Sequence, residues 1–169
     1  MNTPNPRVVA VDPNVLINLM HVGRLGLLAG IPHHDFAVPD HVREEVTVPE
    51  QRAVLDAAVD GGWLAMVACC NVHVIGLFAE LVGRLGRGES ACIAIAATEG
   101  WFVASDERGR FLREADARVG VGRVITTVDL FVLAIKAGLL SIEEADADLL
   151  TLGSRRFRVS FRSFREILE

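Results

Sequence analysis

Lysine is almost missing from this 169-residue chain: arginine supplies all but one of its 17 basic side chains, the exception being Lys136. Any grip on an anion therefore falls to guanidinium groups, which are planar and can bind two oxygens at once. A basic surplus is missing too. The formal charge of −5 and a pI near 5.5 exclude a protein that coats nucleic acid through bulk charge, but leave room for a local basic groove. Cysteine is scarce, and Cys69, Cys70 and Cys92 make an odd set with no C-x-x-C pair. They form neither a disulfide framework nor a zinc site, and they suit a reducing, cytoplasmic compartment. Histidines lack ligand spacing: His33 and His34 are neighbours, and His21, His41 and His73 are scattered. No basic-then-apolar leader opens the chain. Residues 61–79 carry no charge, but Asn71 and His73 interrupt them, so a strand, a turn and a helix start fit better than a membrane span.

What is present is an alternation of strand-like and helix-like segments, the pattern of a parallel sheet covered on both faces. Residues 8–11 are a short continuous apolar run, as in a strand buried on both sides, and helical periodicity takes over from Pro13 to His21. Further strands are predicted at 36–38, 63–68, 101–104 and 124–127, with a last one at 157–161 where Phe157, Val159 and Phe161 alternate. Helices are predicted at 23–30 (short), 40–46, 50–59, 75–84, 89–98, 108–118, 129–137 and 141–152. Asp40 is placed as a cap, Ser141 with Glu144 as a capping box, and Ser163 with Glu166 as the cap of a terminal turn. No repeat or linker divides the chain, so residues 1–169 read as a single domain.

Four acids stand out by position. Asp12 and Asp106 each close a buried strand, at the carboxyl edge where open α/β sheets bind ligands. Glu89 heads the helix face shared by Cys92, Ile93 and Ala96, and Glu45 lies beside Val42 and Val46. Each has a plainer explanation: helix N-caps for Asp12 and Asp106, the helix dipole for Glu89, a pairing with Arg43 or Arg52 for Glu45. Taken together they are costly without a counter-ion, since each carboxylate raises its neighbours' pKa. A bound divalent cation removes that cost, and a histidine-free oxygen set favours Mg²⁺ or Mn²⁺. The glycines at 83, 86 and 88 do not make a P-loop, because the Gly-Lys-Ser/Thr ending is missing. In RRFRVSFRSFR the arginines 155, 156, 158, 162 and 165 stand among phenylalanines 157, 161 and 164, a mixture that can bind single strands by charge and stacking; the strand spacing of the phenylalanines favours the other reading, with the rings in the core and the arginines in solvent.

Five pieces of the chain, VVAVDPNVLINL, VPDHVREEV, GRGESACIAIA, VASDERGRF and VITTVDLFVLAIKAGLLS, occur in the order and spacing of the PIN-domain nucleases, which the sequence resembles along essentially its whole length. The subgroup it looks closest to is related to the VapC-type toxins of toxin–antitoxin pairs. The resemblance implies a three-layer α/β/α sandwich with a central, mainly parallel sheet. It implies that Asp12, Glu45, Glu89 and Asp106 form an acidic metal site, with Mg²⁺ or Mn²⁺ supporting hydrolysis of RNA. Asn14 is expected to brace the carboxylates, and Arg110, Ser105 and Thr127 to contact phosphate. Pro13 stands where the family commonly has a small or hydroxyl residue, and Ser105 where close relatives often carry a further acid. The expected function is a metal-dependent endoribonuclease, the toxin of such a pair; the alternative is a PIN-like module that binds RNA or protein without turnover. A hydrophobic fraction of 51% and positive mean hydropathy add the expectation of a homodimer or a captured antitoxin.

Overall fold

The computed structural model describes residues 5–168. Its centre is a five-stranded, all-parallel sheet in the order β3-β2-β1-β4-β5. The strands are β1 (Arg7–Val11), β2 (His34–Pro39), β3 (Ala65–Val67), β4 (Phe102–Ala104) and β5 (Val124–Ile125). Between and after them run α1 (Pro13–His21), a 3₁₀ turn (Leu25–Ala29), α2 (Asp40–Glu45), α3 (Pro49–Asp60), α4 (Val72–Leu81), α5 (Arg87–Glu99), α6 (Arg110–Arg118), α7 (Thr127–Lys136), α8 (Ile142–Gly153) and α9 (Arg165–Leu168). Parallel neighbours need crossovers, which is why helices sit on both faces of the sheet. Helix α5 packs on β1, β2 and β4, with α4 and α6 beside it, while α1 contacts α7 and α7 contacts α8.

The strand order determines where a ligand can enter the sheet. From β1 the chain builds outward through β2 to β3, then returns to lay β4 against the other side of β1 and β5 beyond it. The reversal falls between β1 and β4, so the carboxyl ends of those two strands flank the sheet's switch point, the usual crevice for a ligand. Val9, Ala10 and Val11 are fully buried, which explains their unalternating apolar run. Helix α5 is buried almost all round from Ser90 to Ala96, which its small residues permit, and it stops at Gly100 in the left-handed conformation (φ 71°).

Most predicted elements are found, with shifted ends. Residues 63–68 narrow to β3, and 124–127 narrow to β5, because Thr126 caps α7 through Asp129 and draws Thr127 into that helix. Asn71 caps α4 by accepting from the His73 N–H, so this helix starts three residues earlier than expected. The Ser141–Glu144 capping box is present. Asp40 is instead the first residue of α2, following Pro39. No described helix is long and apolar enough to cross a membrane, and residues 61–79 form a turn, β3 and part of α4.

The predicted strand at 157–161 is absent. Its alternation survives as burial, with Phe157, Val159 and Phe161 half-covered and their neighbours exposed, but the segment pairs with no strand. Two-residue β5 offers little edge to extend, and the chain runs as irregular backbone to Phe164. That ring is fully buried and edge-on to Phe131 and Phe161, at 5.7 and 5.2 Å between centroids. Asp146 of α8 fixes it by accepting from the Phe164 N–H (2.8 Å) and the Ser163 hydroxyl (2.7 Å). Phe164→Ala is therefore expected to cost about 3–5 kcal/mol of unfolding free energy, and a urea midpoint unchanged from the parent protein would refute this anchoring role.

Candidate active site

Asp12 follows the buried end of β1 and is 1% exposed. It occupies the N-cap position of α1, yet its side chain makes no capping bond, so the capping explanation fails. Its Oδ2 accepts from the Ser105 hydroxyl at 3.3 Å, while its Oδ1 is buried and meets no donor among the described residues. Burial, and then the charge of Glu89, push the Asp12 carboxyl well above its usual range. Ser105 pulls the other way, and Glu107 and Glu45 add to the rise.

The next two acids meet at the start of α5. Glu89, in the first turn of α5, accepts from the Gly86 N–H at 2.9 Å and is half-buried. Glu45, at the end of α2, accepts from the Gly88 N–H at 2.6 Å. The suggested pairing of Glu45 with Arg43 or Arg52 does not occur: Arg43 pairs with Asp56, Arg52 donates to the carbonyls of Val46 and Arg43, and exposed Glu44 takes Arg87. Gly88 makes the meeting of α2 and α5 possible, because a Cβ there would stand 2.8 Å from Pro13 Cγ and 3.1 Å from Glu45 Oε2. Pro13 is thus a buried wall of the site.

The segment after β4 divides its side chains between two directions. Ser105 is fully buried and turned to Asp12, and it also accepts from the Glu107 N–H at 3.1 Å. Asp106 turns towards α7, where its carboxylate accepts from the Thr127 N–H (2.8 Å), the Thr127 hydroxyl (2.6 Å) and Asn18 Nδ2 (3.0 Å). It is no cap for α6, which starts after Gly109. Glu107 accepts from Asn14 Nδ2. Burial, Glu89 and Asp106 raise its carboxyl above the ordinary range, against the pull of Asn14. The acids whose charge raises the Asp12 carboxyl are therefore Glu89, Glu107 and Glu45.

The sequence does not single out Glu107. Its direction follows from a local turn beyond the end of β4 at Ala104, in which the Ser105 hydroxyl accepts from the Glu107 N–H. Of the other expected residues, Asn14 holds Glu107 and Thr127 holds Asp106. Arg110 donates to the Arg84 carbonyl at 3.1 Å and shares a cleft of about 410 Å³ with Glu89 and Glu107.

By donor chemistry these residues suit a hard divalent cation, although no three of these acids bring carboxylate oxygens within 4.8 Å of one another. A buried carboxylate oxygen without a donor is expensive unless something positive meets it, and Asp12 Oδ1 is such an atom amid three more carboxylates. A second group of ligand-type atoms lies at the ends of β2 and β3: Asp40, His41 and Cys69, all within 4.8 Å of one another. Here the carboxylate already serves its neighbours, accepting from the His41 N–H (2.9 Å) and Cys69 N–H (3.4 Å) and lying 2.8 Å from His41 Nδ1. Burial, followed by the nearby Asp40 charge, pushes the Cys69 thiol up to about 12. Sequence spacing gave no hint of this group, because 28 residues separate its two halves.

No curated protein matches the chain as a relative. A family model does: the one described as a PIN domain matches residues 8–169. PIN domains are as a class nucleases that use divalent metals, which agrees with the parallel sheet and with the acids at its switch point. The chain belongs to the PIN-domain family.

Proposed function

We propose that this protein is a metal-dependent endoribonuclease and the toxin of a toxin–antitoxin pair. The observation that carries the nuclease reading is the donorless, buried Asp12 Oδ1 beside Glu45, Glu89 and Glu107. In this reading Asp12, Glu89 and Glu107 hold Mg²⁺ or Mn²⁺, with Glu45 completing the ring. When bound, the ion polarises a phosphodiester and lowers the pKa of a water, the two services that metal-assisted hydrolysis requires.

The chain's own residues do the rest. Ser105 orients Asp12 by donating to Oδ2, which leaves Oδ1 without a donor among the described residues. Asn14 holds Glu107, and such bracing of ligands sustains metal affinity. Asp106, engaged by Thr127 and Asn18, ties the β4 end to the start of α7 and sets the position of Glu107. Arg110 lies beside Glu89 and Glu107, where a guanidinium can take a phosphate oxygen. Exposed Val72 and Ile75 on α4, at 75% and 49%, supply apolar surface for an antitoxin or a second copy. Three free thiols support a reducing, cytoplasmic setting.

Cleavage of an RNA pool by the purified protein with Mn²⁺, beside a chelator control, is the direct test. Asp12→Asn and Glu107→Gln are each expected to lower cleavage at least about a hundredfold, the scale seen when a group acting on developing charge is lost. Asp106→Asn is expected to lose less; the reverse order would return Asp106 to the ligand set.

Stability reports on the same atoms. The folded-state pKa of Asp12 lies above its unfolded value, so its contribution is fully present below the unfolded pKa and is lost as pH rises through the folded one. In chelator at neutral pH, Asp12→Asn is therefore expected to raise the melting midpoint by on the order of a few degrees, and to abolish the further gain that Mn²⁺ gives the parent. A lower midpoint for the variant would show that Asp12 is already neutralised. Gly88→Ala crowds Pro13 and Glu45, and is expected to cost about 1–3 kcal/mol and to weaken Mn²⁺ stabilisation. A variant with unaltered stability and metal response would remove the Gly88–Glu45 contact from the site.

A further inference from the structure

The absent strand leaves its arginines in a specific place. A groove of about 480 Å³ lies next to the carboxylates, with Asn14, Asn18, Asp106 and Glu107 on one wall and residues 155–161 on the other. Among the described residues Arg155, Arg156 and Arg158 form no ion pair; Arg158 donates only to the Gly153 carbonyl, at 3.4 Å. Arg24, Arg43, Arg84, Arg87, Arg118 and Arg165 are each paired with a carboxylate, and Arg7, Arg52, Arg108, Arg110, Arg113, Arg123 and Arg162 form no ion pair among the described residues; what sets Arg155, Arg156 and Arg158 apart is that they lie together along this groove. A chain of net charge −5 has thus kept three guanidiniums unpaired along one wall of this groove.

Arg156 carries the argument further. Helix α8 ends with the Phe157 N–H donating to the Leu152 carbonyl and the Arg156 N–H to the Gly153 carbonyl, the double bond of a Schellman termination. The residue between, Arg156, has φ 70°, the left-handed conformation that glycine adopts without strain. Seven other described positions with positive φ are glycines, and only His33 and Arg156 are not. An arginine at a glycine position beside the acidic edge is explained when its side chain is used there. Phe157 and Phe161 line the same groove half-exposed, and offer faces to unstacked bases that a duplex would not present.

We propose that Arg155, Arg156 and Arg158 form a phosphate-binding wall that leads an unpaired RNA strand to the carboxylates, and that Arg156 is retained for this at the expense of a better helix stop. The proposal rests on the nuclease reading for its substrate, but its test reads binding alone. Affinity for a fluorescent, unstructured oligoribonucleotide is measured by anisotropy in chelator across a salt series. For single strands the slope of log K against log salt changes by about 0.7 per phosphate contact.

Arg156→Gly is expected to flatten the slope by about that amount while keeping or raising the melting midpoint. The triple variant Arg155→Ala, Arg156→Gly, Arg158→Ala is expected to flatten it by about 2 and to weaken binding at least tenfold. Unchanged slope and affinity in the triple variant, no binding by the parent protein, or equal affinity for a hairpin duplex would each overturn the wall. A parent protein that binds with this slope but cuts nothing in Mn²⁺ leaves the wall standing and removes the nuclease reading. One that cuts equally well with and without the arginines, at equal affinity, does the opposite.

Discussion

The structure turns on one uncompensated carboxylate. Asp12 is carried to the interior by the best-buried strand of the sheet, and the fold supplies a single hydroxyl for one of its two oxygens. Burial and the neighbouring acids oppose its charge, and one of its oxygens is left without a donor among the described residues. Pro13 closes one side, Gly88 lets the α5 backbone come close, and Glu45 is held by that backbone rather than by an arginine. A protein selected only for stability would have put an amide or an apolar residue at position 12. The reversal of strand order between β1 and β4 is what allows acids from three separate stretches of chain to converge there.

Much of this is legible in the sequence because buried parallel strands and their following helices leave strong signatures. The run at Val8 to Val11, the change of period at Pro13 and the Ser141–Glu144 box each report a local constraint that the fold respects. Asp12, Glu45 and Glu89 are candidates by the same logic, since each lies at or next to an element's end, although only Asp12 is buried. The errors have local causes as well. Alternation in residues 157–161 records half-burial against the protein, and half-burial does not require a ladder partner. Asp106 is the acid that the sequence places at the end of β4; the structure turns Ser105 to Asp12 and Asp106 to Thr127, directions that depend on three-dimensional contacts and leave no mark in the local sequence. The Asp40–His41–Cys69 group depends on β2 and β3 being neighbours, which no short window contains.

Arginine usage shows the balance between order and availability. Those on the helical flanks are spent on carboxylates: Arg43 on Asp56, Arg118 on Glu114 and Glu80, Arg24 on Asp148. Such exposed pairs add little stability individually, but they neutralise a surface that is acidic overall. Against that background the groove is where three unpaired guanidiniums stand together and leave positive charge for an external anion. The left-handed Arg156 shows the same preference at the level of the backbone, where a glycine would have ended the helix with less strain.

Sequence separation adds a consequence in time. The hydrogen bond between Asp12 and Ser105 joins residues 93 apart, and β1 cannot acquire β4 until most of the chain exists. Contacts of such long range close late, both in refolding and as a chain leaves the ribosome from its amino end. Asp12 precedes Ser105 and Glu107 by three strands and five helices, so those partners are made well after it. The carboxylate ring is thus a checkpoint on completeness, and a nascent or truncated chain holds a strand and a lone acid with nothing to act through.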